Sequence, residues 1–208
     1  MKRLPISFPK AEDIPSLLDQ EGIPFMPVAT INWKEEYPYC PKMSVRMALT
    51  NDTFLIHYQV DEQAVLARYT KDCDQVWTDS CAECFLLGAD KRTYFNMECS
   101  CIGTLLIGQG EGRKGRHLMS PDMLQTVGRW SSLGRKPFGL IEKATHWELA
   151  LSVPYSIFGE ESPLFNNDVI FGNVYKCGDD LPTPHYVSLF PISIESPDFH
   201  RPEFFQAL

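Results

Sequence analysis

The feature that most constrains this fold is an alternation of apolar and polar side chains with a period of two residues. It is clearest over residues 53–60, where Phe54, Ile56, Tyr58 and Val60 fall on one side and His57 and Gln59 on the other. Such a pattern is typical of a β-strand buried on one face. Residues 44–49 alternate as well, and the intervening Thr50-Asn51-Asp52-Thr53 has turn chemistry. The sequence therefore predicts a β-hairpin here.

Strands are also predicted elsewhere, whereas helical patterns are short. Residues 11–19 and 154–159 are each predicted to form a short helical turn, the second begun by proline and ended by glycine. Because strands do not alternate with long helices, the pattern excludes a parallel α/β sheet. We predict an all-β fold, a two-sheet antiparallel β-sandwich of immunoglobulin-like or jelly-roll type, with a loop-rich connection over 110–120. The further predicted strands are 27–33, 81–87, 93–99, 104–108, 147–153, 169–175 and 186–191.

Length and charge limit the domain count and the partners. A chain of 208 residues fits one large β domain, predicted here over 1–208 with residues 1–26 as an N-terminal extension packed on it. A net charge of −8 argues against nucleic acid and anionic membranes, and residues 113–116 are interpreted as a solvated basic loop. Without an apolar leader, the predicted location is cytoplasmic, or periplasmic or secreted if a leader was removed. The oligomeric state is left open.

The seven cysteines are interpreted as free thiols rather than as a disulfide framework or a metal site. Cys81 and Cys84 form a C-x-x-C sequence, but the flanking pattern predicts a strand. Residues three apart on a strand point to opposite faces. We therefore expect no metal to be bound by this pair, and free cysteines are often buried small apolar groups.

The placement of the aromatic residues favours a binding site. Trp77 and Trp130 lie among polar and turn residues, whereas Trp33 and Trp147 continue apolar patterns typical of a core. Residues 196–205 are rich in aromatic and charged side chains outside any predicted strand. A saccharide site needs flat aromatic faces and planar polar groups, and these loops offer both.

Several longer motifs resemble the family 9 carbohydrate-binding modules. Residues 77–85 resemble the strand entry of that family, in which Trp, an acidic residue, Ser, Glu and Phe recur at this spacing, and residues 94–98 match its next strand. The similarity is fullest to family-9-like domains of gut-type bacteria and extends from about Val28 to the C-terminus. The motifs that carry it are Asn-x-Glu and Cys-Ile-Gly-Thr within 96–104, then 172–179, 182–185 and 197–205.

The resemblance implies a sandwich whose two tryptophans enclose a sugar, and Trp77 and Phe199 stand at those two positions. It also implies that Glu83 contacts sugar hydroxyls and that Asn96 and Glu98 lie near the polar floor. This sequence departs from the family pattern in having phenylalanine at the second position and no strand arginine. The predicted function is therefore non-catalytic binding of a mono- or oligosaccharide by Trp77, Glu83, Asn96, Glu98, Lys176, His185 and Phe199.

Three alternatives stay open at this stage. The family holds structural calcium, for which Asp179-Asp180 is the nearest candidate, although no other cofactor or metal is predicted. A glycosidase would use Glu83 with Glu98, or His185 with Asp179. A haem-binding sandwich, suggested by fold analogy, would use Met97, His117 or His185 as ligands.

Overall fold

The structure is a computed structural model that describes residues 1–159, 163–165 and 169–208. Within these ranges no helix is long and apolar enough to cross a membrane. Two short α-helices are present, α1 (Ile14–Gln20) and α2 (Pro121–Gln125). The strands are β1 (Met26–Val28), β2 (Thr30–Ile31), β3 (Lys42–Leu49), β4 (Thr53–Glu62), β5 (Val65–Ala67), β6 (Cys81–Leu87), β7 (Tyr94–Ser100), β8 (Leu105–Gly110), β9 (His117–Leu118), β10 (Gly128–Ser131), β11 (Phe138–Ile141), β12 (Thr145–Pro154), β13 (Phe171–Cys177), β14 (Tyr186–Ser188) and β15 (Gln206–Ala207).

The strands form two large antiparallel sheets, as predicted. The first has the order β1-β3-β4-β12-β10, and the second has the order β2-β14-β13-β6-β7-β8-β9, with β15 paired to the far end of β13. Strands β5 and β11 make a small two-stranded ribbon. The two large sheets bury a common apolar core between them, in which Trp147 is fully enclosed. The all-β sandwich predicted from the alternation is confirmed.

The predicted hairpin is present as β3 and β4, with Leu49 opposite Phe54. Its turn is held by Thr50, whose Oγ1 accepts hydrogen bonds from the backbone N–H groups of Asp52 and Thr53. Strand β6 has the predicted bounds. The strands that the alternation missed, β5, β9, β10, β11 and β15, are at most four residues long, too short to show a period.

The eight-stranded sheet is buried on both faces. From β6, Ala82, Cys84 and Leu86 enter the core between the sheets, while Cys81 and Phe85 pack in a second apolar cluster on the opposite face. This second cluster is completed by residues 192–205, which lie across the outer face of the sheet and contribute Ile192, Phe199 and Phe205. Because both faces are covered, burial does not alternate along β6 or β7.

The N-terminal residues cover the outer face of the five-stranded sheet. Leu4, Ile14 and Leu18 pack there against Leu55 and Ala150. Trp130 was predicted to lie in a loop because of the turn residues around it. It lies instead on β10 and packs against the apolar cluster that these residues form. It is therefore remote from the outer face of the eight-stranded sheet.

Candidate functional site

A groove with a volume of about 430 Å³ lies on the outer face of the eight-stranded sheet. This size falls within the range of about 300–1,000 Å³ that is common for small-molecule sites. Strands β6, β7 and β13 form its floor, and residues 113–118 and 197–200 form parts of its rim. Five of the seven predicted site residues line it: Trp77, Glu83, Asn96, Glu98 and Phe199.

Two aromatic side chains stand at the walls of the groove. Trp77 lies in a 3-10 turn (Val76–Thr78) immediately before β6 and remains half-exposed. Phe199 is largely buried, with 8% of its surface exposed, and it stacks on Tyr175, with ring centroids 4.3 Å apart and planes within 9° of parallel. Trp33 also packs near Phe199, with ring centroids 6.3 Å apart. Trp33 was predicted to be a core residue, but it is only half-buried. The Phe199 ring is therefore held in place before any ligand arrives.

The floor of the groove is a row of polar groups on adjacent strands. Glu83 on β6 lies directly opposite Glu98 on β7, so both side chains emerge on the same face. Asn96 Nδ2 donates a hydrogen bond to Glu98 Oε1 (2.7 Å), and Arg116 Nε donates to Asn96 Oδ1 (2.7 Å). These two hydrogen bonds fix the orientation of the Asn96 amide and the Glu98 carboxyl group.

The pKa values of both carboxyl groups on the floor of the groove are raised. Burial, together with the nearby Cys177 thiol and Glu98, raises the pKa of Glu83 well above its usual value. Burial also raises the pKa of Glu98 to about 7, although the Asn96 hydrogen bond and the Arg116 charge act in the opposite direction. A protonated carboxyl group can donate as well as accept a hydrogen bond, which suits it to pair with a hydroxyl group.

The raised pKa of Glu98 makes stability depend on pH. The folded protein keeps the Glu98 proton up to about pH 7, whereas the unfolded chain releases it near the ordinary value of 4.5. Stability from this group is therefore present at low pH and is lost as pH rises between these values, by at most about 2 kcal/mol between pH 5 and pH 7. We expect Glu98→Gln, measured by urea unfolding across this range, to lose that part of the pH dependence. Parallel curves for the two proteins would contradict the shift.

Arg116 is a groove residue that sequence analysis missed. Residues 113–116 were interpreted as a solvated loop, but the short strand β9 pairs with β8 and brings Arg116 over the sheet. Its guanidinium lies 4.1 Å from the centroid of the Tyr94 ring and donates to the backbone oxygens of Tyr94, Gly108 and Gly112. Nothing in residues 113–116 indicated that Arg116 would lie over the sheet. Strand β9 is only two residues long, and its pairing with β8 cannot be predicted from so short a segment.

Lys176 and His185 were predicted to contact the ligand, and the structure contradicts that prediction. Lys176 points from β13 into the interior between the sheets, where Nζ lies 2.9 Å from Glu62 Oε2 and 2.9 Å from His185 Nε2. The reason is the alternation along β13, because Tyr175 and Cys177 face the groove side and Lys176 faces away from them. Burial and the Lys176 charge hold the pKa of His185 well below its usual value.

The other predicted ligand sets do not come together. Met97 and His185 are buried in the interior, and His117 lies exposed on β9, so they do not converge on one haem cavity. Asp180 is paired with Arg68 (2.7 Å), whereas Asp179 lines the groove. In the described residues one close group of potential metal ligands remains: Cys81, Glu83 and Cys177.

Comparison with known proteins gives one family and two informative structures. The model of carbohydrate-binding family 9 matches residues 12–208. A crystal structure of a protein from Bacteroides uniformis, to which carbohydrate binding has been ascribed, is 40% identical and has a TM-score of 0.91, covering 100% of this chain and 95% of that one. A family 9 module from Caldicellulosiruptor kristjanssonii, in complex with glucose, is 11% identical and has a TM-score of 0.52, covering 99% of this chain and 94% of that one. This likeness concerns the fold alone. No curated protein matches.

Proposed function

The chain belongs to carbohydrate-binding family 9, and from that membership we propose that it binds a saccharide, without cleaving it, in the groove between Trp77 and Phe199. The observation that carries the proposal is the arrangement of that groove. Its two aromatic walls and its polar floor of Glu83, Asn96 and Glu98 line one cavity. Each of these residues lies on the outer face of the same sheet or on a segment that rests on it.

The chemistry of the groove matches that of a pyranose ring. An aromatic face can cover the apolar C–H side of the ring, which removes apolar surface from water. The hydroxyl groups around the ring can exchange hydrogen bonds with the carboxyl groups and the amide on the floor. Since each such bond replaces one to water, its net contribution is about 0.5–1.5 kcal/mol, and we expect modest affinity overall.

Binding is favoured over glycoside cleavage by the state of the two carboxyl groups. Glu83 and Glu98 are opposed on adjacent strands, as a pair of catalytic carboxyl groups in a glycosidase could be. Such an enzyme also needs one of the pair ionised as a nucleophile. Burial raises the pKa of both groups instead, which disfavours the ionised form at each position.

The proposal is tested by calorimetric titration of the protein with glucose and with a panel of neutral oligosaccharides. We expect saturable heats with at least one of them, accompanied by a change in tryptophan fluorescence as Trp77 is covered. No heat and no fluorescence change across a broad panel would refute the proposal. Release of reducing sugar during the same incubation would instead favour a hydrolase.

Replacing Glu83 tests the polar floor. We expect Glu83→Ala to weaken saccharide binding by about 1 kcal/mol, or roughly five-fold, because the hydrogen bond between the carboxyl group and a sugar hydroxyl is lost. The matched control is Glu12→Ala, which removes an exposed carboxylate on the far side of the other sheet. Equal affinity of the two variants, measured by the same titration, would remove Glu83 from the site.

A further inference from the structure

Three side chains with metal-ligating atoms meet at the floor of the groove. Cys177 on β13 is paired directly with Cys81 on β6, and Glu83 lies two residues further along β6 on the same face. The two sulfur atoms and a carboxylate oxygen all lie within 4.8 Å of one another. The C-x-x-C sequence is not involved as a pair, because Cys84 points to the opposite face, as predicted.

The contact between Cys177 and Glu83 is unusually close for a thiol in this protein. Cys177 Sγ lies 3.0 Å from Glu83 Oε1. The other thiol hydrogen bonds in the described residues, all to backbone carbonyl oxygens, measure 3.5–3.9 Å. In a tetrahedral zinc site with bonds of about 2.3 Å to sulfur and 2.0 Å to oxygen, ligand atoms stand roughly 3.5–3.8 Å apart. Small side-chain rotations would therefore bring the three atoms onto one ion.

The charge surroundings also leave room for a cation. No lysine, arginine or histidine in the described residues forms an ion pair with Glu83. The nearest lysine along β13, Lys176, points to the other side of the sheet and is held by Glu62. A buried carboxylate without a cationic partner is costly, and a divalent ion would supply that partner.

We propose that Cys81, Glu83 and Cys177 bind a thiophilic divalent cation of the Zn²⁺ type. Two thiolates and one carboxylate suit zinc better than calcium or magnesium, which prefer oxygen ligands alone. Binding would release the thiol protons and the carboxyl proton to solvent. Because Cys177 and Glu83 both line the groove, an ion can enter from it, and the fourth ligand would be a water molecule on the groove side.

The test is a zinc titration of the full, reduced chain after dialysis against a chelator, with a chromophoric chelator as competitor. We expect one Zn²⁺ per chain. Cobalt substitution should add a thiolate-to-metal absorption band in the near ultraviolet. Removing one of three protein ligands should weaken binding more than the loss of an outer-shell contact does, so Cys81→Ser and Cys177→Ser should each lose roughly 100-fold or more in affinity.

Cys84→Ser is the matched control, because it replaces an equally buried thiol on the same strand that faces the core. It should bind zinc like the wild type. Should a serine variant fail to fold, Glu83→Gln keeps the side-chain shape and is expected to lose the carboxylate ligand. Failure of the reduced wild type to retain zinc would overturn the proposal. Wild-type zinc affinity in both Cys81→Ser and Cys177→Ser would assign the metal to other thiols, such as the half-buried Cys40 and Cys73, and would also overturn the proposal.

The metal proposal does not depend on saccharide binding. The zinc titration is performed without sugar, and the saccharide titrations are performed on chelator-treated protein. A protein that binds sugar but no zinc, or zinc but no sugar, would therefore refute only one of the two proposals.

Discussion

Replacing Lys176 by methionine should lower the free energy of unfolding by about 3–5 kcal/mol. The side chain is fully buried, and its ammonium group lies 2.9 Å from Glu62 Oε2 and donates to the backbone oxygen of Cys177. Methionine would fill a similar volume but would leave the Glu62 carboxylate buried without a counter-charge. Urea unfolding of the two proteins at neutral pH measures the difference.

A second replacement separates the charge from the packing. Adding Glu62→Gln to Lys176→Met removes the unpaired charge, and the amide oxygen can still accept the hydrogen bond that Trp147 Nε1 gives to Glu62 (2.7 Å). We expect the double variant to recover about 1–3 kcal/mol of the loss. The control is Lys42→Met, which removes an exposed lysine 3.9 Å from Asp61 and should cost less than about 1 kcal/mol. Equal losses for Lys42→Met and Lys176→Met would show that the buried pair has no special cost.

Replacing Trp77 by alanine should abolish measurable saccharide binding in an otherwise folded protein. Trp77 is the partly exposed aromatic side chain of the groove, and truncation of a central aromatic contact commonly costs 2 kcal/mol or more, about 30-fold in affinity. Since the starting affinity is expected to be modest, such a loss would take binding below detection. Trp77→Phe keeps a smaller flat face and should retain part of the affinity.

Trp130→Ala is the control for this prediction. Trp130 is also half-buried, but it packs beneath the N-terminal residues on the other sheet. Its removal should lower stability and leave saccharide affinity unchanged, as measured by calorimetry well below the unfolding temperature. If both tryptophan variants bind as tightly as the wild type, the ligand does not lie against position 77.

The fold could be predicted from the sequence wherever a strand was long enough to show its period. The β3–β4 hairpin and the bounds of β6 follow from local alternation and turn chemistry, and the predicted carbohydrate-binding family is confirmed by the family match. The short strands could not be predicted, because their existence depends on partners distant in sequence. Strand β11 pairs with β5, and β15 pairs with the start of β13.

Five of the predicted site residues come together in the structure. Trp77, Glu83, Asn96, Glu98 and Phe199 line one groove, and their contacts with a ligand stay a prediction. Lys176 and His185, which belong to the family-like motifs at 172–179 and 182–185, lie buried in the interior instead. On a sheet buried on both faces, polarity does not reveal the direction of a side chain, and Lys176 is satisfied inside by Glu62.

The segment 192–205, which covers the outer face of the eight-stranded sheet, also has a consequence for the order of events during synthesis. Trp77 precedes β6, whereas Phe199, which lines the same groove, is synthesised more than one hundred residues later. A ribosome-bound chain that has already paired every strand through β14 would still lack Phe199 in the groove. The groove would thus be completed only after residue 199 has left the exit tunnel.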